Sequence, residues 1–176
     1  MKKSPVDDSC FVFCPKCGAK VLRPQPPYAY RCDACGFTFY MNIAAATAAI
    51  IIDEQNRLLV ATRAKDPAKG TLDLPGGFVD PDETAEEAVR REVREELNLE
   101  VAETTYLFSI PNEYPYGGVL YHTLDMVYRC RVNDFIELKA ADDVVAVQWI
   151  AIRQLEPDKF GLKSIREIIR RLTASA

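Results

Sequence analysis

Four cysteines constrain this chain more than any other feature. They form two matching pairs, Cys14-Pro-Lys-Cys17-Gly and Cys32-Asp-Ala-Cys35-Gly, with fourteen residues between them. A C-x-x-C turn presents two thiolates to one point, and the following glycine lets the backbone fold beneath. Two such turns complete the tetrahedral shell of Zn2+, whose bonds to sulfur are about 2.3 Å long. The segment between them carries Pro24, Pro26 and Pro27 and predicts strands and turns rather than helix. A shell of four thiolates leaves no position for water, so the predicted zinc site at Cys14, Cys17, Cys32 and Cys35 is structural. Disulfides or unmetallated thiols are the alternative. Met1–Ser9 holds lysines, a proline and two aspartates but no apolar h-region. The expected compartment is therefore the cytoplasm, where disulfides are disfavoured. Cys10 and Cys130 are expected to be bystanders.

The texture changes near Asn42. Residues 1–9 are expected to be a flexible N-terminus, 10–41 a zinc ribbon and 42–176 a second domain. The chain has 176 residues, 48% of them hydrophobic, enough for a sizeable core. Its longest apolar run, Ile43–Ile52, is half the roughly 20 residues of a membrane helix. Ile43–Asp53 predicts a buried strand, with Arg57–Ala64 as its hairpin partner across Glu54-Gln55-Asn56. Leu72–Val79 is short and extended around Pro75-Gly76-Gly77. Thr84–Leu97 is the clearest helix, opened by a Thr84/Glu87 capping box and closed by Asn98, which tolerates the left-handed conformation. Tyr106–Ile110 and Tyr121–Val132 predict strands separated by a loop rich in Pro, Tyr and Gly. Val144–Ile150 predicts a strand and Phe160–Leu172 a closing amphipathic helix. The irregular alternation of strands and helices argues for α+β.

The helix carries two faces. Val89, Val93 and Leu97 follow i, i+4, i+8 and form its core stripe. Glu92, Glu95 and Glu96 cluster about 100° away. Such a cluster is either a solvated acidic face or a site for a hard divalent cation, with oxygen ligands that include carbonyls of the preceding Gly-Gly loop. Asp80–Glu103 holds ten acids and three bases, whereas the whole chain, with 22 basic and 26 acidic residues, is only −4. The negative excess is therefore local. A global basic footprint for duplex nucleic acid is absent.

The spacing Gly77, Glu83, Arg91-Glu92-Val93, Glu95-Glu96, Asn98-Leu99 resembles the Nudix box, G-x5-E-x7-R-E-U-x-E-E-x-G-U, where U is aliphatic. Only the second glycine departs, to Asn98. With the preceding cysteine pairs, the chain from about Phe13 to Leu172 is similar to the zinc-ribbon branch of that family, which includes NADH pyrophosphatases. The resemblance implies an α/β/α sandwich around a mixed sheet. It also implies Mg2+- or Mn2+-dependent hydrolysis of a nucleoside diphosphate linked to another moiety. It makes Glu92 and Glu96 metal ligands, Glu95 a ligand or proton acceptor, and the Gly76 carbonyl a further ligand. Glu83 and Arg91 become a structural pair. In that branch an auxiliary acid lies six residues before a Trp. Here that residue is Asp143, before Trp149, with Asp142 and Glu113 as rivals.

Substrate contacts are expected from Tyr114 and Tyr116, with Tyr121 as a further aromatic face, and from Tyr40 by resemblance. His122 is expected to be structural or at a pocket rim. The branch's S-Q-P-W-P-F-P-x-S segment appears as Ser109-Ile110-Pro111-Asn112-Glu113-Tyr114-Pro115-Tyr116-Gly117. Its Trp is missing, which points away from NADH towards ADP-ribose, FAD or a nucleotide sugar. Relatives suggest a homodimer. The alternative readings are an RNA 5′-cap hydrolase of the NAD-cap type or a nucleic-acid-binding zinc-ribbon protein, given the mildly basic first 40 residues.

Overall fold

The computed structural model describes residues 11–174. Cys10 and the expected flexible N-terminus lie outside the described residues. Strands β1 (Leu22–Gln25), β2 (Ala29–Cys32) and β3 (Thr38–Tyr40) form a small antiparallel sheet in the order β1-β2-β3. Its core is small: Leu22, Tyr30, Cys14 and Cys32, with Phe11 and Phe39 against it.

The rest of the chain is layered. Strands β4 (Ala44–Ile50), β7 (Val101–Tyr116) and β8 (Val119–Val132) form a mixed sheet ordered β4-β8-β7. Strands β5 (Arg57–Arg63), β6 (Leu72–Asp73) and β9 (Val144–Ala151) form an antiparallel sheet ordered β6-β5-β9. Helices α1 (Ala85–Leu97) and α2 (Lys163–Ala174) cover opposite faces. Ala48, Ile50, Leu58 and Val60 pack with Ile165, Ile168 and Ile169 of α2. Ala49, Ile51 and Leu59 pack with Val89, Val93 and Leu97 of α1. Residues covered on both faces read as a continuous apolar run, as over Ala48–Ile51, whereas Ile43 and Ala45 earlier in the run are exposed. Each helix side chain so buried contributes roughly 1.5–3 kcal/mol. The expected α+β sandwich with a mixed sheet is present.

Three sequence expectations are corrected. Ile43–Asp53 and Arg57–Ala64 do not continue as a hairpin. Beyond an isolated bridge between Ile52 and Leu58 the strands part. Strand β4 pairs in parallel with β8 and β5 pairs with β9, each along seven residues. The segment from β6 onward comes between β4 and β5: on the edge that a hairpin would use, β4 bonds to Pro75 and Gly77, and β5 pairs with β6 at Ala61 and Thr62. The expected Pro-rich loop is instead the tip of one long hairpin, with β7 running to Tyr116 and β8 starting at Val119. Gly117 and Gly118 make the two-residue turn at φ +58° and +79°, as the twist of a tight hairpin requires. Pro111 and Pro115 are tolerated because β7 is an edge strand, where a missing N–H costs no ladder bond. The closing helix is shifted to Lys163–Ala174.

Candidate active site

Helix α1 is fixed at its start by the predicted capping box. Glu87 N–H donates to Thr84 Oγ1 at 3.2 Å, and Thr84 N–H donates to Glu87 Oε2 at 2.8 Å. With Val89, Val93 and Leu97 held in the core, the flank bearing Glu92 and Glu96 faces the loop after β6. That loop is stitched to β4: Ala49 N–H donates to Pro75 O at 2.7 Å and Thr47 N–H to Gly77 O at 2.8 Å. The intervening Gly76 carbonyl has no donor among the described residues. Gly76 itself sits at φ +142°, where a Cβ would lie 2.2 Å from Thr47 O, and a Cβ on Gly77 would lie 2.4 Å from Glu92 Oε1. Both glycines are required by close approach, which lets the helix carboxylates press against backbone. Gly76 N–H donates to Glu96 Oε2 at 3.0 Å.

One guanidinium organises the remaining carboxylates. Arg91 Nε and Nη2 donate to the two oxygens of Glu83 at 2.9 and 3.0 Å. Its Nη1 donates to Glu92 at 2.9 Å and Glu95 at 3.0 Å, and Nη2 also reaches Phe78 O at 3.0 Å. The Arg91 hydrogen bond holds Glu83 below its ordinary pKa. Burial lifts Glu92 despite Arg91. Among the described residues Glu96 has no cationic partner, and it is only 7% exposed. Burial first, then the charges of Glu92, Asp73 and Asp143, push it up to about 8 against the pull of the Gly76 N–H. A buried carboxylate with this deficit is a functional-site signal.

Arg91, Glu92, Glu95 and Glu96 line a cleft of about 310 Å³. Asp143 and Asp142 are on its wall, at the turn before β9, whereas Glu113 is not. Glu113 pairs across the hairpin with His122 and faces Lys163 at 4.0 Å. Asp143 carries an ion pair with Lys65, also a wall residue. Tyr114 lines the cleft, packs edge-on against Phe78 at 5.5 Å, and has Tyr116 at 6.3 Å. Tyr40, 64% exposed on β3, is not among the wall residues. Sequence reasoning missed the buried floor. Arg63 pairs with Asp73, Asp125 accepts from Thr123 and Ser164 hydroxyls, and Ser164 N–H donates to Asn112 Oδ1 at 3.4 Å. The available signal was polar Thr123 and Asp125 recurring inside an apolar strand.

The cysteine quartet lies apart from this cleft. Cys14 and Cys35 sulfurs are 3.7 Å apart, as are those of Cys17 and Cys32, and all four lie within 4.8 Å of one another. A tetrahedron of bonds about 2.3 Å long has edges of about 3.8 Å, so the donors fit zinc. Among the described residues no carboxylate group is drawn together as tightly. Burial opposes ionisation of Cys14, but the Cys17 and Lys16 amides bring it down to about 7. Cys17 has an Ala19 amide that lowers it, yet Cys35 and burial push it up to about 12. Four sulfurs so close are compatible with a metal ion among them, which would hold them as thiolates.

The model of the NUDIX domain matches residues 42–172. This chain belongs to the Nudix family. It is 36% identical over 137 residues to an ADP-ribose pyrophosphatase of Methanocaldococcus jannaschii, covering 76% of each. It is 35% identical over 148 residues to the NAD-capped RNA hydrolase NudC of Deinococcus radiodurans, covering 81% of this chain and 50% of that one. The chain thus spans about half the length of that capped-RNA hydrolase. A Nudix hydrolase structure from Nitrosomonas europaea superposes with a TM-score of 0.69 at 22% identity, over 93% of this chain and 90% of that one.

The Nudix box is the segment that builds the site. Its first glycine is Gly77, its Glu–Arg pair is Glu83–Arg91, and its three glutamates are Glu92, Glu95 and Glu96. Its one departure, Asn98, caps α1 at φ 55°, ψ 38°, the left-handed conformation expected of the missing glycine. Among the described residues no helix is long and apolar enough to cross a membrane.

Proposed function

We propose that this Nudix enzyme hydrolyses the phosphoanhydride bond of a nucleoside diphosphate joined to a second moiety, with ADP-ribose the first candidate. The observation that carries this reading is Glu96, a buried carboxylate without a cation, beside Glu92 and an undonated Gly76 carbonyl. Oxygen donors of this kind suit Mg2+ or Mn2+. Glu92, Glu95, Glu96, Asp143 and the Gly76 carbonyl would hold the ion. Bound there, it would neutralise pyrophosphate charge and acidify a water. Glu95, with its side chain 48% exposed at the rim, is placed to accept that water's proton. Lys65 and Arg63 bring positive charge to the same cleft for phosphate oxygens. Tyr114, Tyr116 and Phe78 offer aromatic surface for a base. Water adds across P–O–P, so ADP-ribose would yield AMP and ribose 5-phosphate. The quartet Cys14, Cys17, Cys32 and Cys35 holds Zn2+ as a fold-stabilising ion.

The name of the archaeal relative supports ADP-ribose, and those of the bacterial relatives support an NAD-capped RNA end as a second reading. A panel of ADP-ribose, NADH, NAD+, FAD, dinucleoside polyphosphates and NAD-capped RNA, with Mg2+ or Mn2+, separates them by product mass. The first reading requires ADP-ribose to be cleaved faster than capped RNA and Glu96→Gln to lose at least about a hundredfold in turnover, typical of a missing metal ligand. Metal-independent cleavage, or a fully active Glu96→Gln protein, would sink it.

A further inference from the structure

Helix α1 ends in carbonyls that no helical amide can reach, at the negative pole of its dipole. The loop after β8 answers them. Lys139 N–H donates to Leu97 O at 3.0 Å, and Ala141 N–H donates to Glu96 O at 2.9 Å. Asn98 N–H closes on Arg94 O at 2.9 Å. The Asn98 side chain adds a contact of its own, Nδ2 donating to Glu137 O at 3.1 Å. Beyond these anchors the chain turns at Asp142, φ +48°, and is held again where Ala64 N–H donates to Asp143 O at 2.8 Å. Asp143 therefore stands between the end of α1 and the end of β5. The residue whose carbonyl receives Ala141 is Glu96, the buried carboxylate of the cleft.

Asn98 occupies the position where the family box has glycine. Glycine would satisfy the left-handed backbone equally well. It would supply no donor to Glu137. We infer that Asn98 is a positioning residue: its side-chain amide straps the loop that carries Asp143 to the end of the helix that carries Glu96. Together with the Lys139 and Ala141 backbone bonds, the strap fixes the separation of the two carboxylates across the cleft. This inference rests on the proposed role of Asp143 in holding the divalent ion.

The discriminating variant is Asn98→Gly, which keeps the backbone and removes only the amide. It is compared with the parent in two backgrounds, native Asp143 and Asp143→Asn. In the native background Asn98→Gly lowers kcat about three- to tenfold, the weight of one exposed hydrogen bond on the loop's population. KM and the melting temperature stay near the parent's. Mn2+ affinity of the substrate-free protein, read from the free-ion EPR signal, weakens by a similar factor. In the Asp143→Asn background Asn98→Gly causes no further loss, because the group it positions is gone. Equal losses in both backgrounds overturn the strap, as does an Asn98→Gly protein with parental kcat and Mn2+ affinity. If Asp143→Asn alone leaves turnover unchanged, the role of Asp143 fails and the strap falls with it. A parent inactive on every substrate of the panel refutes the proposed hydrolysis, and the Mn2+ titration still decides the strap.

Discussion

Replacing Glu96 by Gln should make the Mg2+-free protein more stable at alkaline pH while removing its activity. The Glu96 carboxyl is lifted from an ordinary 4.5 to about 8 in the folded protein, by burial first and then by Glu92, Asp73 and Asp143. Below 4.5 it is protonated in both folded and unfolded chains and imposes no penalty. Between the two values the folded chain keeps a proton that the unfolded chain has released, so stability falls as pH rises. Above about 8 both are ionised and the full penalty is present. The slope is at most about 1.4 kcal/mol per pH unit, which over this interval totals on the order of 4 kcal/mol. For a chain of this size that is roughly 10 °C in melting temperature. Gln is nearly isosteric and its Oε1 can still accept from Gly76 N–H. The assay is thermal unfolding from pH 5 to 9 in buffer stripped of Mg2+ and Mn2+, with zinc retained. The parent's melting temperature should fall relative to that of Glu96→Gln, and the two curves should converge near pH 5. Glu92, also raised, adds a slope of its own that is shallower in the variant, where the neighbouring Glu96 charge is gone. Adding Mn2+ at pH 8 should raise the parent and leave the variant nearly unmoved. Parallel pH curves, or a variant that melts lower at pH 9, would refute the reasoning.

Arg91→Lys should lower both stability and turnover, because one ammonium cannot replace the fork that joins Glu83, Glu92, Glu95 and Phe78 O; urea unfolding should show a loss of about 1–3 kcal/mol. Metal analysis of the purified protein should find one zinc per chain. Cys32→Ser should lose it and open residues 11–41 to protease, since a module of this size has too little core to hold without its ion. Gly76→Ala should destabilise by about 2 kcal/mol or more and abolish turnover, because the new methyl meets Thr47 O at 2.2 Å in a conformation L side chains rarely adopt; a melting temperature equal to the parent's would contradict that geometry.

The sequence carried local structure well and long-range pairing poorly. The start of α1 was legible because Thr84 and Glu87 satisfy each other within four residues, and its end because Asn98 is one of few residues suited to the left-handed region. The core stripe was legible from helical spacing. The β7–β8 hairpin was not, since Pro111 and Pro115 read as strand breakers until β7 is known to be an edge. Nor was the separation of β4 from β5, which depends on the segment from β6 through Val79 coming between them. Asp143 was placed by resemblance, through the family's spacing before a Trp, and the cleft wall includes it. Tyr40 was placed by resemblance alone, and the wall does not include it. Asp73 and Asn112 were invisible because a polar residue in a strand does not reveal which face is wet, and Asp125 was signalled only by recurring with Thr123 inside an apolar strand.

The distribution of charge along the box explains why a cation belongs at one end of it. Crowded carboxylates on a helix repel, and the protein could relieve this by interleaving bases. It does so only in part. Arg91 is shared among Glu83, Glu92 and Glu95, so three of the four box glutamates touch a positive charge inside the fold. Glu96, one turn beyond Arg91 and the most deeply buried of the glutamates whose burial is fixed by the α1 packing, receives a neutral amide only. Arg63 is not free to serve it, since it is committed to Asp73, and Lys65 is committed to Asp143. The uncompensated charge therefore lies where α1, the Gly76 loop and the Asp143 turn converge. A divalent ion held at that point, as proposed, would offset the burial of Glu96. Its departure would restore the penalty, so the same carboxylate expected to weaken the metal-free fold at high pH is the one that would draw the ion in.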